Sequence, residues 1–269
     1  MLVERALVGI VILPVVILVL VAGGWVFALS VAVVLGVAAW EYWRMVTSGG
    51  FQPSALIVIG GVALMALLRY LFDFSGSQFG ASALILVAMA MCTRSYELSR
   101  NQPASDFAIT LAGIFYLGWV GSYLISLRNL PNGEWWAFIA LPAAWIADMG
   151  AYFVGRQFGR HQLAPRVSPK KTWEGYLGGI PFAIVGCALL AAAFSGRAPE
   201  ITPMKGAIIG LVIAVLAPMG DLGESMLKRQ FNIKDTSNLL PGHGGFMDRI
   251  DSTLWAAVIG YYMVVVFFV

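Results

Sequence analysis

Apolar residues occur along this chain in long uninterrupted runs, with the polar positions gathered between the runs instead of alternating within them. A helix rises 1.5 Å per residue, so about 20 apolar residues cross a ~30 Å hydrocarbon layer. Nine runs meet that length within a few residues, at approximately 6–24, 25–46, 54–72, 79–94, 106–127, 135–154, 176–195, 206–222 and 253–269. The pattern predicts an all-α integral membrane protein of about nine transmembrane helices. The opening run, MLVERALVGIVILPVVILVLVAGG, reads as the first span, not as a cleaved signal, because Glu4 interrupts the basic start and the run is too long. No Pro/Ser-rich linker or polar block marks a soluble domain, so the expected organisation is one polytopic domain over 1–269: a helical scaffold in 1–130 and the chemistry in 140–269.

One stretch breaks the pattern. Between Gly220 and Asp251 stand five acids (Asp221, Glu224, Asp235, Asp248, Asp251), four bases (Lys228, Arg229, Lys234, Arg249), His243 and a glycine cluster, pressed between two apolar runs. Charge held at a membrane boundary calls for a functional reason.

Composition supports the membrane assignment: with 59% hydrophobic residues, 12% charged and a mean hydropathy of +0.82, the chain lacks the polar surface to coat a soluble globule of its size. The net charge of +3 is small and the bases are scattered, which argues against nucleic acid as a partner. Cys92 and Cys187 lie in apolar runs and read as small core residues. If the N-terminus and the connections after even-numbered spans share one side, that side holds Arg5, Arg44, Arg94, Arg100, Arg156, Arg160, Arg166, Lys170, Lys171, Lys228, Arg229, Lys234 and Arg249. The other side keeps only Arg69, Arg128, Arg197 and Lys205, so the positive-inside rule places the polar island in the cytoplasm. Glu41 and Arg44, three apart at a helix end, are expected to pair as an interfacial ion pair.

Candidate chemistry concentrates after the sixth run. Asp148, Tyr152, Gly155 and Arg156 share a helix face, and an aspartate there faces protein or water: either it partners Arg156 or another base, or it serves a cytoplasmic-side site. The following GRQFGRHQLAPRVSPKKTWEGYLGG is basic and broken by prolines. It reads either as a plain positive-inside loop, with His161 a loop histidine, or, through Ser168, Lys170, Lys171 and Thr172, as a set of donors for phosphate oxygens. Asp221, Glu224, Ser225 and Lys228 stand at i, i+3, i+4 and i+7, one face of a helix continuing the eighth span, and Asp248 and Asp251 repeat the i, i+3 spacing before the ninth. Hard carboxylate oxygens suit magnesium, which takes one or two protein carboxylates and leaves its other positions to water and phosphate. Asp221 and Asp248 lead that ligand set, with Asp148, Glu224 and Asp251 as further candidates. Between them, LLPGHGGFMDR is either an ordinary turn or, through Gly244 and Gly245, a backbone cradle for phosphate.

The run Ser225, Leu227, Lys228, Arg229, Lys234, Asp235, Ser237, Leu240, Pro241, His243, Gly244, Gly245, Phe246, Asp248, Arg249, Ile250 and Asp251 resembles the signature of the phosphatidate cytidylyltransferases, also called CDP-diacylglycerol synthases. The stretches beginning at Asp148 and at Ser168 (SPKKTWEG) resemble the same family, so the likeness in specific motifs covers roughly the C-terminal half. The resemblance implies that CTP and phosphatidate give CDP-diacylglycerol and pyrophosphate, with magnesium, at the cytoplasmic face of the cell (inner) membrane. It further implies a second cation and a homodimer. Asp221 and Asp248 then hold metal, Lys228, Arg229, Lys234, Arg249, Lys170 and Lys171 meet the anionic oxygens, and Ser168, Thr172, Ser225, His243, Gly244 and Gly245 line the substrates. Two rivals share parts of this equipment: a CTP-dependent lipid or polyprenol kinase, which releases CDP, and an ion-coupled transporter, against which the one-sided cluster of acids and the lack of an internal repeat both count.

Overall fold

The computed structural model describes residues 2–98, 102–240, 242 and 244–268. The expected His243, Pro241 and Arg100 lie outside them, as does the side chain of Arg5. Helices make up nearly all of the described secondary structure. In chain order they are α1 (Leu2–Ala22), α2 (Gly24–Ser48), α3 (Gly61–Glu97, entered through a π-helical turn at Leu56–Gly60), α4 (Pro103–Gly113, continued by a π-helical stretch Ile114–Val120), α5 (Tyr123–Arg128), α6 (Gly133–Phe158), α7 (Trp173–Phe194), α8 (Pro203–Leu216), α9 (Pro218–Gln230) and α10 (Met247–Tyr262, running on to Phe268).

Seven helical stretches among the described residues are long and apolar enough to cross a membrane, fewer than the nine expected; α1, whose side chains are described only in part, is not among the seven. The difference has a physical origin in α3. Its backbone leaves helical geometry at Asp73 (φ 53°, ψ −139°), and the two legs fold back on each other. A Cβ built on Gly61 would lie 3.2 Å from Leu84, and one on Gly80 would lie 2.7 Å from Leu68; in a straight helix Gly61 and Leu84 would be about 35 Å apart. Leu56–Glu97 is therefore a helical hairpin, closed around Ile57, Met65, Ala81, Leu84 and Ala88 with Ile114 of the following stretch. Arg69, counted above with the outer loops, is buried instead near the hairpin turn. It donates to Ser77 Oγ (2.6 Å) and Ser126 Oγ (2.9 Å), and its guanidinium lies over Phe74, 3.9 Å from the ring centre.

By compactness the chain divides into two units: Met1–Ser126 with Gln230–Arg249, and Leu127–Arg229 with Ile250–Val269. In the second, α7 packs between α6 and α8 along small residues. Ala147, Ala183 and Ala214 form the shared seam, and Gly210 lets α8 approach the backbone of Ala183 more closely than any side chain allows. Large apolar side chains such as Phe153, Val185 and Leu189 point outward, as a lipid-facing surface requires.

The basic segment after α6 departs from the expected loop. It forms a short antiparallel hairpin, β1 (Gln162–Ala164) against β2 (Ser168–Thr172), pairing Gln162 with Thr172. Its end starts α7: the Thr172 hydroxyl accepts from Gly175 N–H (3.1 Å), satisfying one of the orphan donors of the first helical turn.

Candidate active site

Two clusters of polar side chains contain most of the residues singled out in the sequence, one in each unit.

In the first unit, the loop after Gln230 and the first turn of α10 are built around two buried carboxylates. Asp248 Oδ2 accepts from Thr236 N–H (2.9 Å), Thr236 Oγ (2.9 Å) and Gly245 N–H (2.8 Å). Glu41, on α2 and fully buried, accepts from Ser237 Oγ (2.5 Å) and Phe246 N–H (3.0 Å) on one oxygen and from Met247 N–H (2.7 Å) and Thr236 Oγ (3.1 Å) on the other. Thr236 has one hydroxyl proton between two carboxylates, so it donates to one of them at a time. The N–H groups at the entry to α10 are thereby neutralised by negative charge, where the helix dipole favours it. The glycines follow from this geometry. Gly244 takes φ +80°, and any side chain at Gly245 would collide with Thr236 and the Glu41 carboxylate.

Glu41 is the residue that the sequence reading missed. The expected Glu41–Arg44 pair does not form: Arg44 lies over the Trp40 ring at 4.9 Å, and Glu41 turns to a loop 195 to 206 residues further along. Only a carboxylate inside an apolar run hinted at it.

In the second unit, Asp221, Glu224, Ser225 and Lys228 share α9, as their spacing predicts. Glu224 and Lys228 are buried and paired at 3.0 Å. Asp221 is met by Lys171, near the end of strand β2, at 2.5 Å. Asp148 on α6 is within electrostatic reach of Lys171 and Asp221. Its expected partner Arg156 instead donates to Tyr152 Oη (3.4 Å). Asp251, buried on α10, feels Asp221, Lys228 and Asp148. The approach of α9 to α10 depends on Gly220, where a Cβ would lie 2.7 Å from the Asp251 carbonyl oxygen and 2.6 Å from Trp255. Three aspartates from three helices are thus interleaved with two lysines, an arrangement in which negative charge exceeds positive and a cation is the complementary guest.

The other residues distribute unevenly. Ser168 and Ser225 are half-buried, and Lys170, Arg229, Lys234 and Arg249 are exposed. Thr172 spends its hydroxyl oxygen on the α7 cap. Of the basic segment, His161 faces Glu174 (2.5 Å), away from any candidate ligand set.

The donor chemistry at Asp221 suits magnesium: it is a half-buried carboxylate whose Oδ2 faces the Lys171 ammonium at 2.5 Å. Among the described residues no three His, Cys, Asp or Glu side chains close a ligand cage.

Comparison with known proteins gives the family of the chain. The sequence profile of the cytidylyltransferase family matches residues 3–267. A phosphatidate cytidylyltransferase of Bacillus subtilis is 33% identical over 273 residues, 98% of either chain. One from Synechocystis is 33% identical, covering 91% of this chain and 90% of its own, and one from Mycobacterium tuberculosis is 34% identical, covering 90% and 75%. A match that spans both polar clusters and the apolar helices carrying them shows that the chain belongs to the cytidylyltransferase family.

Proposed function

We infer that this multi-pass membrane protein transfers the cytidylyl group of CTP to phosphatidate, giving CDP-diacylglycerol and pyrophosphate. The observation that carries the reading is the Asp148, Lys171, Asp221, Asp251 and Lys228 cluster in a chain of this family. A phosphatidate phosphate is already ionised near neutral pH, so its oxygen attacks the α-phosphorus of CTP without a strong general base. The bond from that phosphorus to the bridging oxygen breaks, and pyrophosphate leaves with the electron pair. What the reaction asks of the protein is alignment of two polyanions and neutralisation of their charge.

In this proposal Asp221 and Asp251, with Asp148 beside them, hold magnesium. The ion, when bound, stabilises charge on the phosphates. Lys171 and Lys228 keep the aspartates from repelling one another, and with a metal on Asp221 the Lys171 ammonium would be free to meet phosphate oxygen. Asp248 and Glu41 act on the backbone: they fix the Gly244–Gly245 turn with its N–H groups oriented, while exposed Lys234 and Arg249 meet anionic oxygens at its rim. Both clusters face the cytoplasmic side of the inner membrane in nine passes, on the strength of the arginine and lysine bias. A second cation and a homodimer belong to the same proposal, on the family likeness.

The test is pyrophosphate release by purified protein in lipid nanodiscs supplied with CTP, phosphatidate and magnesium. Release that requires all three is expected, and Asp221→Asn is expected to remove most of it while the protein still inserts. CDP as the nucleotide product would replace this reading by the kinase.

A further inference from the structure

A cavity of about 370 Å³ lies in the first unit, walled by the end of α2, the connection from Gln52 to Ile57, the end of α3 and the start of α4. These are ends of apolar helices, so the cavity opens at the boundary between hydrocarbon and water. Apolar side chains, among them Ile57 and Met91, line one part and polar groups the other.

Asp106 is 5% exposed. Its Oδ1 accepts Gln52 N–H at 2.7 Å, and its Oδ2 has no donor among the described residues. The fixed protons of the wall are turned away from the space: Trp43 Nε1–H is spent on Pro53 O (3.0 Å), Thr47 Oγ–H on Trp43 O (2.5 Å) and Thr110 Oγ–H on Asp106 O (2.7 Å). What remains unspent is the Asp106 Oδ2 and hydroxyl lone pairs, beside the Gln52 amide and the Ser54 and Ser95 hydroxyls, which can turn either way, and no Lys, Arg or His stands among the described lining residues. A buried carboxylate held by one backbone N–H, with no counter-charge among the described lining residues, is costly. A ligand that brings counter-charge and donors is the complement.

We propose that this cavity is a binding site for a primary ammonium group, whose three N–H donors match Asp106 Oδ2 and the Thr47 and Thr110 hydroxyls. Any methylenes attached to it lie against Ile57 and Met91. A phosphate is repelled, and the single carboxylate is a poor cage for a divalent metal. The ammonium is carried either by a bilayer amphiphile, reaching the site from the membrane boundary, or by a soluble amine. This site is independent of the reaction proposed above and makes no use of its residues.

Cys92 lines the same cavity, while Cys187 is fully buried elsewhere, so alkylation of Cys92 reports occupancy in the unmodified chain. The experiment follows the rate of Cys92 modification by a small thiol reagent, in nanodiscs of phosphatidylglycerol alone, with added phosphatidylethanolamine, or with free ethanolamine in the buffer. Labelling slowed about tenfold is expected at ~10 times the dissociation constant. Protection by the lipid alone assigns a membrane source, and protection by free ethanolamine assigns a soluble one. Equal rates in all three arms would overturn the proposal. Two variants separate charge from folding. Asp106→Asn keeps an acceptor for Gln52 N–H, and Ser95→Lys places an ammonium at the half-buried rim; both are expected to abolish protection, and protection that persists in both would equally overturn it.

Discussion

At the scale of single residues, Glu41 has the most consequential contacts. Its carboxylate collects four hydrogen bonds from the loop that precedes α10, and no other group on α2 can replace it. Glu41→Gln turns one oxygen into an N–H donor facing other donors. Because a displacement of about 1 Å at a site costs up to ~10²-fold, kcat/KM is expected to fall by roughly that factor, with Glu41→Asp recovering part of it. Steady-state kinetics in nanodiscs give the answer; a wild-type rate in Glu41→Gln would show that the loop holds itself. Glu41 was illegible as a functional residue because local rules reach only one helical turn. Arg44 offered an i, i+3 partner, whereas the true partners are about 200 positions away. Asp221, Glu224, Lys228 and Asp251 were legible because the helix period and the cost of charge in lipid both act on them.

At the scale of elements, helices were readable and so were some of their breaks. The gap between the apolar runs 54–72 and 79–94 brackets the reversal at Asp73, although the single backbone conformation that makes the turn is announced by no periodicity. The β-hairpin was hidden likewise, its prolines and bases reading as loop while the pairing of Gln162 with Thr172 is tertiary information. That hairpin ends in the α7 cap, so Thr172→Ala removes both an acceptor for Gly175 N–H and the anchor beside Lys171. A loss of about 1 kcal/mol is expected, read as a fall of a few degrees in thermal midpoint. Thr172→Ser retains the acceptor and is expected to restore the midpoint; if it does not, the methyl group and not the cap sets the stability.

At the scale of the whole molecule, the distribution of arginine and lysine is the argument for sidedness. On the proposed topology the β-hairpin is cytoplasmic and the connection between α7 and α8 lies on the opposite side. Gly196, where an added side chain meets nothing, and exposed Pro165 are suitable reporters. In a Cys92→Ala background, Pro165→Cys is expected to react with an impermeant maleimide only in inside-out vesicles and Gly196→Cys only in right-side-out cells. The reverse pattern would move the proposed site to the external face.

The bond between α2 and the start of α10 also has a schedule. Glu41 and Met247 are 206 residues apart, and at about 5–20 residues per second the ribosome needs roughly 10–40 s to travel between them. For that interval the nascent α2 sits in the translocation machinery or the bilayer with a carboxylate whose partners have not been made. During biogenesis it must be kept wet or shielded by a helper. A chain released before residue 247 never closes that gap, and the quality-control proteases of the membrane meet it as an unfinished protein.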